Sequence, residues 1–488
     1  MELDAWLANN ETSEETRAKY NYFMRPEPKD VRSEIMVDEE SGLRYRMMAV
    51  GMTRNAAEAN RKVRKVFLDP IPHLQIENAK PLQGWYKAKI EKAGVRDRPC
   101  FTDAMLTEPY GGYCAVGCAF CYINSGVRGY RGSGLVSVPK DYGLQVGRML
   151  DKVKTSAAGY FSSFTDPFLP LEDVYHNTQT GIKAFTDRGL PVFILSRKRY
   201  PQWAMDALML NPHSYAQKSI NHHDESTWKR LSPGAATLAE HMEDIRELKD
   251  RGIYVSIQVN PIIPGVTSND DVVKTFEMLK EAGADHVIVK FVEASFSWAP
   301  AMKERIEQRF REIKPHAAAK FSELFNCNIG GQRTIDEGYR MEAHPIYMKA
   351  ATELGLTYSV CYEYKYLRDA NGNIINKTGV SVGKDFITSD QCHGQRVPMY
   401  SRNTLDEPFR EVTECKPTGC LYCGDEAEDG VGAGACGSKL FGAALALRNV
   451  HLKNSVWDDV PAPPDPRKPP EPEVDLVSDM FGVSTEAK

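Results

Sequence analysis

The chain has 488 residues, of which 42% are hydrophobic and 26% are charged, and its formal net charge is −5. This composition is that of a soluble globular protein with room for one large domain and appendages, or for two to three average domains. It excludes a membrane-spanning helix, because no run of about 18 apolar residues occurs. The negative net charge gives no overall attraction to nucleic acid.

Residues 1–95 are expected to form a separate, mixed and mostly helical N-terminal extension. Its start is acidic and polar and lacks the basic residues and apolar core of a signal peptide, so we expect a cytoplasmic protein with no membrane partner. In such a reducing compartment the 11 cysteines are expected to be thiols, metal ligands or catalytic groups rather than disulfides. A group of basic residues suits either a solvated face or a contact with nucleic acid: Arg54, Arg61, Lys62, Arg64 and Lys65.

Residues 96–365 are predicted to form an α/β domain. Apolar, β-branched runs predict strands at residues 159–164, 191–196, 215–220, 254–260, 286–292 and 357–362. Amphipathic stretches, each followed by a glycine, predict helices at residues 180–188, 237–251 and 270–282, with Asn269 as the N-cap of the last. With one more strand before Cys114, six or seven parallel βαβ units fit. That number favours a partial or full (β/α) barrel, in which reactive groups gather at the carboxyl ends of the strands.

A cysteine cluster with the spacing C-x3-C-x2-C follows the additional strand that is expected before Cys114: Cys114, Cys118 and Cys121. Three thiolates on one short loop can bind three irons of a 4Fe-4S cubane, which leaves the fourth iron open to the amino and carboxylate groups of S-adenosylmethionine (SAM). Tyr122, directly after the last cysteine, is placed to shield the cluster and to contact the adenine. A structural zinc site is the alternative, but zinc usually takes four ligands, and no fourth cysteine or histidine lies nearby.

The cysteine motif followed by a βα series resembles the radical SAM superfamily. Further strings, in this order, resemble its spore photoproduct lyase-like branch: PYGGYCAVGCAFCY, FSSFTDPFLPLE, FILSRK, SINHHDESTWKRLSP and VNPIIPG. The resemblance covers about residues 105–300. It implies reductive cleavage of SAM to a 5′-deoxyadenosyl radical, with a flavodoxin- or ferredoxin-type protein as the reductant.

Spore photoproduct lyase itself has a hydrogen-donating cysteine downstream of the motif, whereas this chain has no cysteine between Cys121 and Cys327. The chain is therefore not expected to be that lyase. Cys327 and Cys361 are either hydrogen donors or inert buried thiols.

The resemblance also implies contacts to SAM after the second and third strands. There, Ser163, Thr165 and Asp166 are expected to face its amino group, although a Thr-Asp-Pro string also commonly caps a turn. Lys198 is expected to face its carboxylate, with an exposed salt-bridging run as the alternative.

The fourth and fifth strands add polar side chains that suit a bound ligand. Ser219 and Asn221 are suited to ribose hydroxyls. Gln258 and Asn260 share one face of the fifth strand, where polar groups inside a barrel are costly unless they are paired. His222 and His223 are adjacent, so on an extended chain they point to opposite faces, which argues against a shared metal site.

Residues 366–445 are rich in Gly, Asn, Asp and Cys and are predicted to form a metal-stapled module that covers the mouth of the barrel. Cys415, Cys420 and Cys423 have the spacing C-x4-C-x2-C, and Cys392 lies 23 residues before the first of them. A second 4Fe-4S cluster is the preferred interpretation, and a four-cysteine zinc site is the alternative. Residues 446–488 form a Pro-rich, acidic tail that is predicted to be disordered.

Together these features predict a radical SAM enzyme whose radical abstracts hydrogen from an unidentified small molecule, a substrate class that the acidic net charge favours. A radical SAM enzyme for nucleic-acid repair or modification is the first alternative, supported by the branch resemblance and by the basic residues. A non-catalytic iron–sulfur or zinc protein that transfers electrons is the second.

Overall fold

The computed structural model describes residues 34–51, 62–77, 82–84, 104–121, 135–151, 153, 155–296, 299–313, 315–383, 385–389, 391–402 and 407–413. The strands of these residues are β1 (Met36–Val37), β2 (Arg44–Val50), β3 (Lys62–Phe67), β4 (His73–Ile76), β5 (Leu82–Gly84), β6 (Ala104–Thr107), β7 (Val136–Pro139), β8 (Thr155–Ser156), β9 (Ala158–Phe161), β10 (Val192–Ser196), β11 (Tyr215–Ser219), β12 (Tyr254–Ile262), β13 (His286–Phe291), β14 (Glu293–Ser295), β15 (Cys327–Ile329), β16 (Gln332–Thr334), β17 (Thr357–Val360), β18 (Tyr364–Arg368), β19 (Ile374–Ser381), β20 (Tyr400–Ser401) and β21 (Arg410–Glu411). The helices are α1 (Tyr142–Leu150), α2 (Glu172–Tyr175), α3 (Asn177–Thr186), α4 (Gln202–Met209), α5 (Glu225–Leu231), α6 (Leu238–Asp250), α7 (Asn269–Ala282), α8 (Ala299–Ile313), α9 (Pro315–Leu324) and α10 (Glu337–Glu353).

The largest sheet has eight strands in the order β17-β13-β12-β11-β10-β9-β6-β5. The seven strands from β17 to β6 run parallel to one another, and β5 is antiparallel to β6. Each predicted strand overlaps a strand of this sheet, and β6 is the further strand expected before the cysteines. The prediction of an α/β fold is therefore confirmed. Residues that follow β6 and residues that follow β17 line the same cavity, so the sheet is strongly curved.

The helices that connect these strands have the expected capping chemistry. The three predicted helices overlap α3, α6 and α7. The N-cap of α7 is Ser268 rather than Asn269, because the Ser268 hydroxyl accepts a hydrogen bond from the backbone N–H of Asp271 and the Asp271 carboxylate accepts one from the backbone of Ser268. This reciprocal capping box satisfies two backbone donors that the helix start leaves without a partner.

The described part of the N-terminal extension is a sheet rather than helices. Strands β1 to β4 pair with β7 in the order β1-β2-β3-β4-β7. Burial rises along β3, from the exposed Lys62 and Val63 to the buried Val66 and Phe67. No helix among the described residues has the length and apolar character to cross a membrane.

A segment near the C-terminus fills the end of the main sheet where its strands begin. The carbonyl oxygen of Cys392 accepts hydrogen bonds from His286 Nε2 at 2.9 Å and from Ser359 Oγ at 2.5 Å. The next residue, His393, packs against Tyr160, Phe193 and Tyr215 inside the curved sheet. This part of the predicted C-terminal module therefore closes the floor, whereas the sequence analysis expected it at the mouth.

Candidate active site

A cavity of about 400 Å³ opens at the carboxyl ends of the parallel strands. A volume of this size is typical of sites for small molecules and cofactors. The cavity lining includes the three clustered cysteines, Arg197, residues around Lys290, and His393 at the floor. The strand order predicts this location, since parallel strands present their loops at one end.

The cysteine loop lies close to the turn that follows α5. The backbone N–H of Ala119 donates to the carbonyl of Leu231 at 2.8 Å, and the N–H of Gly234 donates to the carbonyl of Val116 at 2.8 Å. A Cβ atom at Gly234 would lie 2.7 Å from the carbonyl oxygen of Ala115. Only glycine therefore allows this close approach of the two backbones.

The protein environment makes the thiolate forms of these cysteines costly without a bound cation. Burial is the main cause that raises the pKa of Cys114 well above its usual range and that of Cys118 to about 11, and the neighbouring thiols add to both shifts. Arg197 and Ser232 oppose the shift of Cys118, and the Ser232 hydroxyl lies 3.4 Å from the Cys118 sulfur. Coordinated iron would supply the missing positive charge.

The spread of the three sulfur atoms suits a cluster better than one metal ion. Among the described residues, only His222, His223 and Asp271 bring three such ligand atoms within 4.8 Å of one another, so the cysteine sulfurs are more widely spaced. Around one zinc ion with Zn–S bonds of about 2.3 Å, tetrahedral ligands would be less than about 4 Å apart. The arrangement therefore does not match three ligands of a single zinc ion.

The residues predicted after the second strand are held by Glu108, which the sequence analysis did not identify. One carboxylate oxygen of Glu108 accepts hydrogen bonds from the backbone N–H and hydroxyl of Ser163 and from the N–H of Phe164, at 2.7, 2.9 and 2.8 Å. The other accepts from the N–H of Thr165 at 3.3 Å. Desolvation is the main cause that raises the pKa of Glu108 to about 7. Ser163 and Thr165 line the cavity, but their hydroxyl groups are engaged with the loop itself.

Asp166 also lines the cavity and organises the end of β10. Its carboxylate accepts hydrogen bonds from the Ser196 hydroxyl at 3.1 Å and from the N–H of Arg197 at 2.7 Å, and burial raises its pKa. Lys198, the predicted partner of the SAM carboxylate, is half-buried and is not among the residues that line the cavity.

Of the two adjacent cations, Arg197 rather than Lys198 lies beside the cysteines. Its guanidinium donates to the carbonyl oxygens of Asn260 at 2.6 Å and Ser219 at 3.3 Å. It also lies 5.0 Å from the centre of the Phe120 ring. The sequence placed Arg197 and Lys198 side by side, and only packing distinguishes them.

The polar residues predicted on β11 and β12 divide into two groups. Ser219, Gln258 and Asn260 line the cavity, with the amide of Asn260 donating to Gln258 at 3.3 Å. Asn221 is fully buried outside the cavity lining and donates to the carbonyl of Pro261 at 3.0 Å. Tyr122 lies outside the described residues.

Ser162 provides a direct test of whether a polar cofactor fits the cavity. Its side chain is 1% exposed and lines the cavity, and its hydroxyl oxygen has no hydrogen-bond partner among the described residues. A buried hydroxyl without a partner is costly. The amino or carboxylate group of SAM would satisfy it, so the residues present fit both a cluster and SAM.

The cavity lining also carries a charged pair that the sequence did not predict. Lys290, at the end of β13, forms an ion pair with Glu293 of β14. Tyr362 and Cys361, which follow β17, line the same cavity. Cys327, the other cysteine considered as a hydrogen donor, lies outside the lining and has its sulfur 3.5 Å from the hydroxyl oxygen of Tyr366.

The residues predicted to form a second metal site are described only in part. Cys415, Cys420 and Cys423 lie outside the described residues. Cys392 is 1% exposed at the floor of the sheet. His222 and His223, which were expected to point apart, stack with 5.0 Å between ring centres and both lie 3.9 Å from Asp271.

Comparisons with known proteins identify the family. No family model matches the chain. A protein of Pseudomonas phage M6 named Radical SAM Nalpha-GlyT isomerase is 55% identical over 478 residues, which are 95% of this chain and 97% of the phage protein. Among solved structures, spore photoproduct lyase complexed with dinucleoside spore photoproduct is 14% identical, with a TM-score of 0.42 over 54% of this chain and 76% of the lyase. Streptococcus suis SuiB bound to S-adenosylmethionine is 11% identical, with a TM-score of 0.31 over 49% of this chain and 53% of SuiB.

Both structural scores are low, so the assignment rests on the phage protein. Its identity extends over nearly the whole of both chains, and this chain carries the three cysteines of the radical SAM motif on one cavity. The chain belongs to the radical SAM family of enzymes.

Proposed function

We propose that the chain is a radical SAM isomerase that acts on the substrate in the name of its phage relative, a compound with a glycyl group attached through its α-nitrogen. The observation that carries this proposal is the 55% identity to that relative over 95% of the chain. This substrate replaces the unidentified small molecule that the composition favoured.

The cavity residues have distinct parts in binding the cofactors. Cys114, Cys118 and Cys121 would hold the iron atoms, and the hydroxyl of Ser162 would bind a polar group of SAM. When bound, the 4Fe-4S cluster and SAM supply a 5′-deoxyadenosyl radical that abstracts a hydrogen atom from the substrate. The remaining predicted SAM contacts on the lining are Ser163, Thr165, Asp166, Ser219, Gln258 and Asn260, with Tyr122, Lys198 and Asn221 as further predicted positions.

Isomerisation sets a requirement on the enclosing residues. Because substrate and product contain the same atoms, the hydrogen removed from the substrate has to be returned to the product. The α-carbon of a glycyl group is a suitable donor, since the adjacent nitrogen and carboxylate both stabilise an unpaired electron there. The protein therefore has to exclude water and other hydrogen donors, and the apolar rings of Phe120, Tyr160 and Phe291 on the cavity wall suit that role.

The C-terminal cysteines complete the proposal. Cys415, Cys420 and Cys423, with Cys392 as the fourth ligand, are proposed to bind a second 4Fe-4S cluster, with zinc as the alternative. Such a cluster would pass electrons from the reductant. We also propose that the main sheet forms a partial or full (β/α) barrel.

The test combines product analysis with a matched pair of cysteine variants. Anaerobic reduced protein is incubated with SAM and an Nα-glycyl substrate, and the letter T is tested as both threonine and thymidine, since it is the symbol of both. Wild-type protein and Cys327→Ala should give a product of unchanged mass, and Cys118→Ala should give no product. Formation of 5′-deoxyadenosine without any isomer from either substrate would refute the proposed reaction.

A further inference from the structure

We propose that Lys290 and Glu293 form the site that recognises the carboxylate and amino groups of the glycyl part of the substrate. This inference rests on the proposed function and goes beyond it, because it assigns the substrate end of the cavity to two named residues. The phage relative's name identifies a substrate and no residue.

The pair lines the same cavity as the cysteines but lies on a different strand. Lys290 is the penultimate residue of the strand β13, which lies five places along the sheet from β6, the strand that precedes the cysteine loop. Both ends of this series line one cavity. The amino and carboxylate groups of SAM would lie beside the cysteines, where the open iron would bind them, so binding of these two groups does not require the charges at β13.

The local chemistry suits a ligand with two opposite charges. Lys290 and Glu293 form a close ion pair, and both side chains are 17% exposed on the cavity side. The amide nitrogen of Gln332, when oriented toward the carboxylate, donates to Glu293 at 2.7 and 3.1 Å. An ammonium has three N–H donors and a carboxylate about four acceptor positions, so each group can bind a ligand as well as its partner.

The energetics indicate that the pair has a function other than stability. An ion pair removed from water seldom contributes net stability, because the desolvation of both charges offsets their attraction. Such pairs in a cavity are candidates for binding sites. A wall with one positive and one negative group is complementary to an amino acid, whose own two charges would align in the opposite direction, and it gives no advantage to a ligand with a single charge.

The neighbouring residues hold the pair in place. The Lys290 nitrogen lies 5.5 Å from the centre of the Tyr362 ring, a contact that favours a cation. Tyr362 has a backbone φ of 54°, which is uncommon for a residue other than glycine, and residues held in such conformations cluster at functional sites. The site is therefore built from β13, β14, β16 and the turn after β17.

The experiment measures binding of two small probes to the anaerobic holoenzyme with SAM present. Sarcosine is the smallest glycine with a substituted nitrogen, and sarcosinamide lacks its carboxylate. Ligand-observed NMR should show that Lys290→Met weakens binding of sarcosine by about tenfold or more, the effect of one lost charge-assisted contact, and leaves the weak binding of sarcosinamide unchanged. Glu293→Gln, which keeps the shape of the side chain, should weaken both probes.

Controls separate this inference from the proposed function and from misfolding. Lys303→Met, on α8 and paired with Glu307, should bind sarcosine as wild type does, and all variants should keep the affinity for SAM and the thermal midpoint. The inference is overturned if wild type does not bind sarcosine, or if both cavity variants bind it as wild type does. It is also overturned if the variants lose affinity for SAM and not for sarcosine. If wild type isomerises an Nα-glycyl substrate and the variants keep its KM, only the inference fails. If wild type forms 5′-deoxyadenosine and no isomer, the proposed function fails.

Discussion

Glu108 accepts hydrogen bonds from both the backbone N–H and the hydroxyl of Ser163, at 2.7 and 2.9 Å. The two residues are 55 positions apart in the chain. Glu108 follows β6 and Ser163 follows β9, so this carboxylate joins the loops of adjacent parallel strands directly beside the cavity. Glu108 therefore fixes the backbone at Ser163. The hydroxyl of the preceding residue, Ser162, faces the predicted SAM position.

We expect Glu108→Gln to destabilise the protein and to weaken SAM binding. A glutamine presents an amide NH₂ group to backbone N–H donors, so at least one buried donor loses its acceptor, at a cost of about 1–3 kcal/mol. Urea unfolding measures this loss, and isothermal titration should show SAM affinity reduced by about tenfold. Glu77→Gln, at a side chain that is 73% exposed, is the control and should change neither quantity.

The parallel sheet was predictable from the sequence, because strands covered on both faces appear as continuous apolar runs. The role of Glu108 was not, since its string Glu-Pro-Tyr-Gly-Gly has the composition of an ordinary turn and its five hydrogen bonds depend on a second loop. His222 and His223 show a different limit. Successive side chains point to opposite faces only within a strand. Because β11 ends at Ser219, this rule does not apply to His222 and His223, and both rings turn to the same side.

The charged residues at the site show the same dependence on packing. The three cysteines could be identified because their spacing alone carries the chemistry. Arg197 could not be chosen over Lys198, because the choice depends on which side chain reaches the carbonyl oxygens of Ser219 and Asn260. Lys290 and Glu293 are separated by the break between β13 and β14, and no spacing rule predicts a pair across such a break.

Gly234→Ala should reduce iron binding, because a Cβ atom there would lie 2.7 Å from the Ala115 carbonyl and displace the cysteine loop. Gly252→Ala is the matched control: its φ of 74° makes alanine strained, but no atom lies within 4 Å of the added carbon. Both variants should lose stability, of the order of 1 kcal/mol for the control. Iron and sulfide counts after anaerobic reconstitution should fall only in Gly234→Ala, and equal counts in the two variants would contradict this account.

Arg197→Met should make the cluster harder to reduce. The guanidinium lies near Cys118, and its positive charge stabilises the thiolate. A nearby positive charge also favours the reduced state of a cluster, because that state is more negative. A redox titration followed by electron paramagnetic resonance should therefore give a lower midpoint potential. Arg199→Met removes an exposed neighbouring cation that pairs with Asp244, and a shift of similar size in this control would assign the effect to general charge.

The proposed second cluster predicts iron counts that differ between variants. Wild-type protein should bind about eight irons, and Cys118→Ala and Cys420→Ala should each bind about four, because each variant loses one cubane. A zinc site would instead give about four irons and one zinc in wild type, with the zinc absent from Cys420→Ala. Four irons and no zinc in wild type would exclude any C-terminal metal site.

The buried imidazole of His286 should make folding stability depend on pH in acid. Burial lowers the pKa of His286 from its usual 6.5 to about 4, so below pH 6.5 the unfolded chain binds a proton that the folded chain does not. The stability from this residue is complete above pH 6.5 and is lost as the pH falls toward 4, with a slope of up to about 1.4 kcal/mol per pH unit.

The measurement is urea unfolding at a series of pH values between 7 and 4. The free energy of unfolding should fall less steeply with decreasing pH in His286→Asn than in wild type. His176→Asn, at an exposed position, is the control. The hydrogen bonds of His286 to Ser359 and to the Cys392 carbonyl mean that the variant will be less stable at neutral pH, so the slope and not the absolute stability is the test. An unchanged slope would contradict the prediction, because it would mean that His286 takes up a proton equally well in the folded and the unfolded chain.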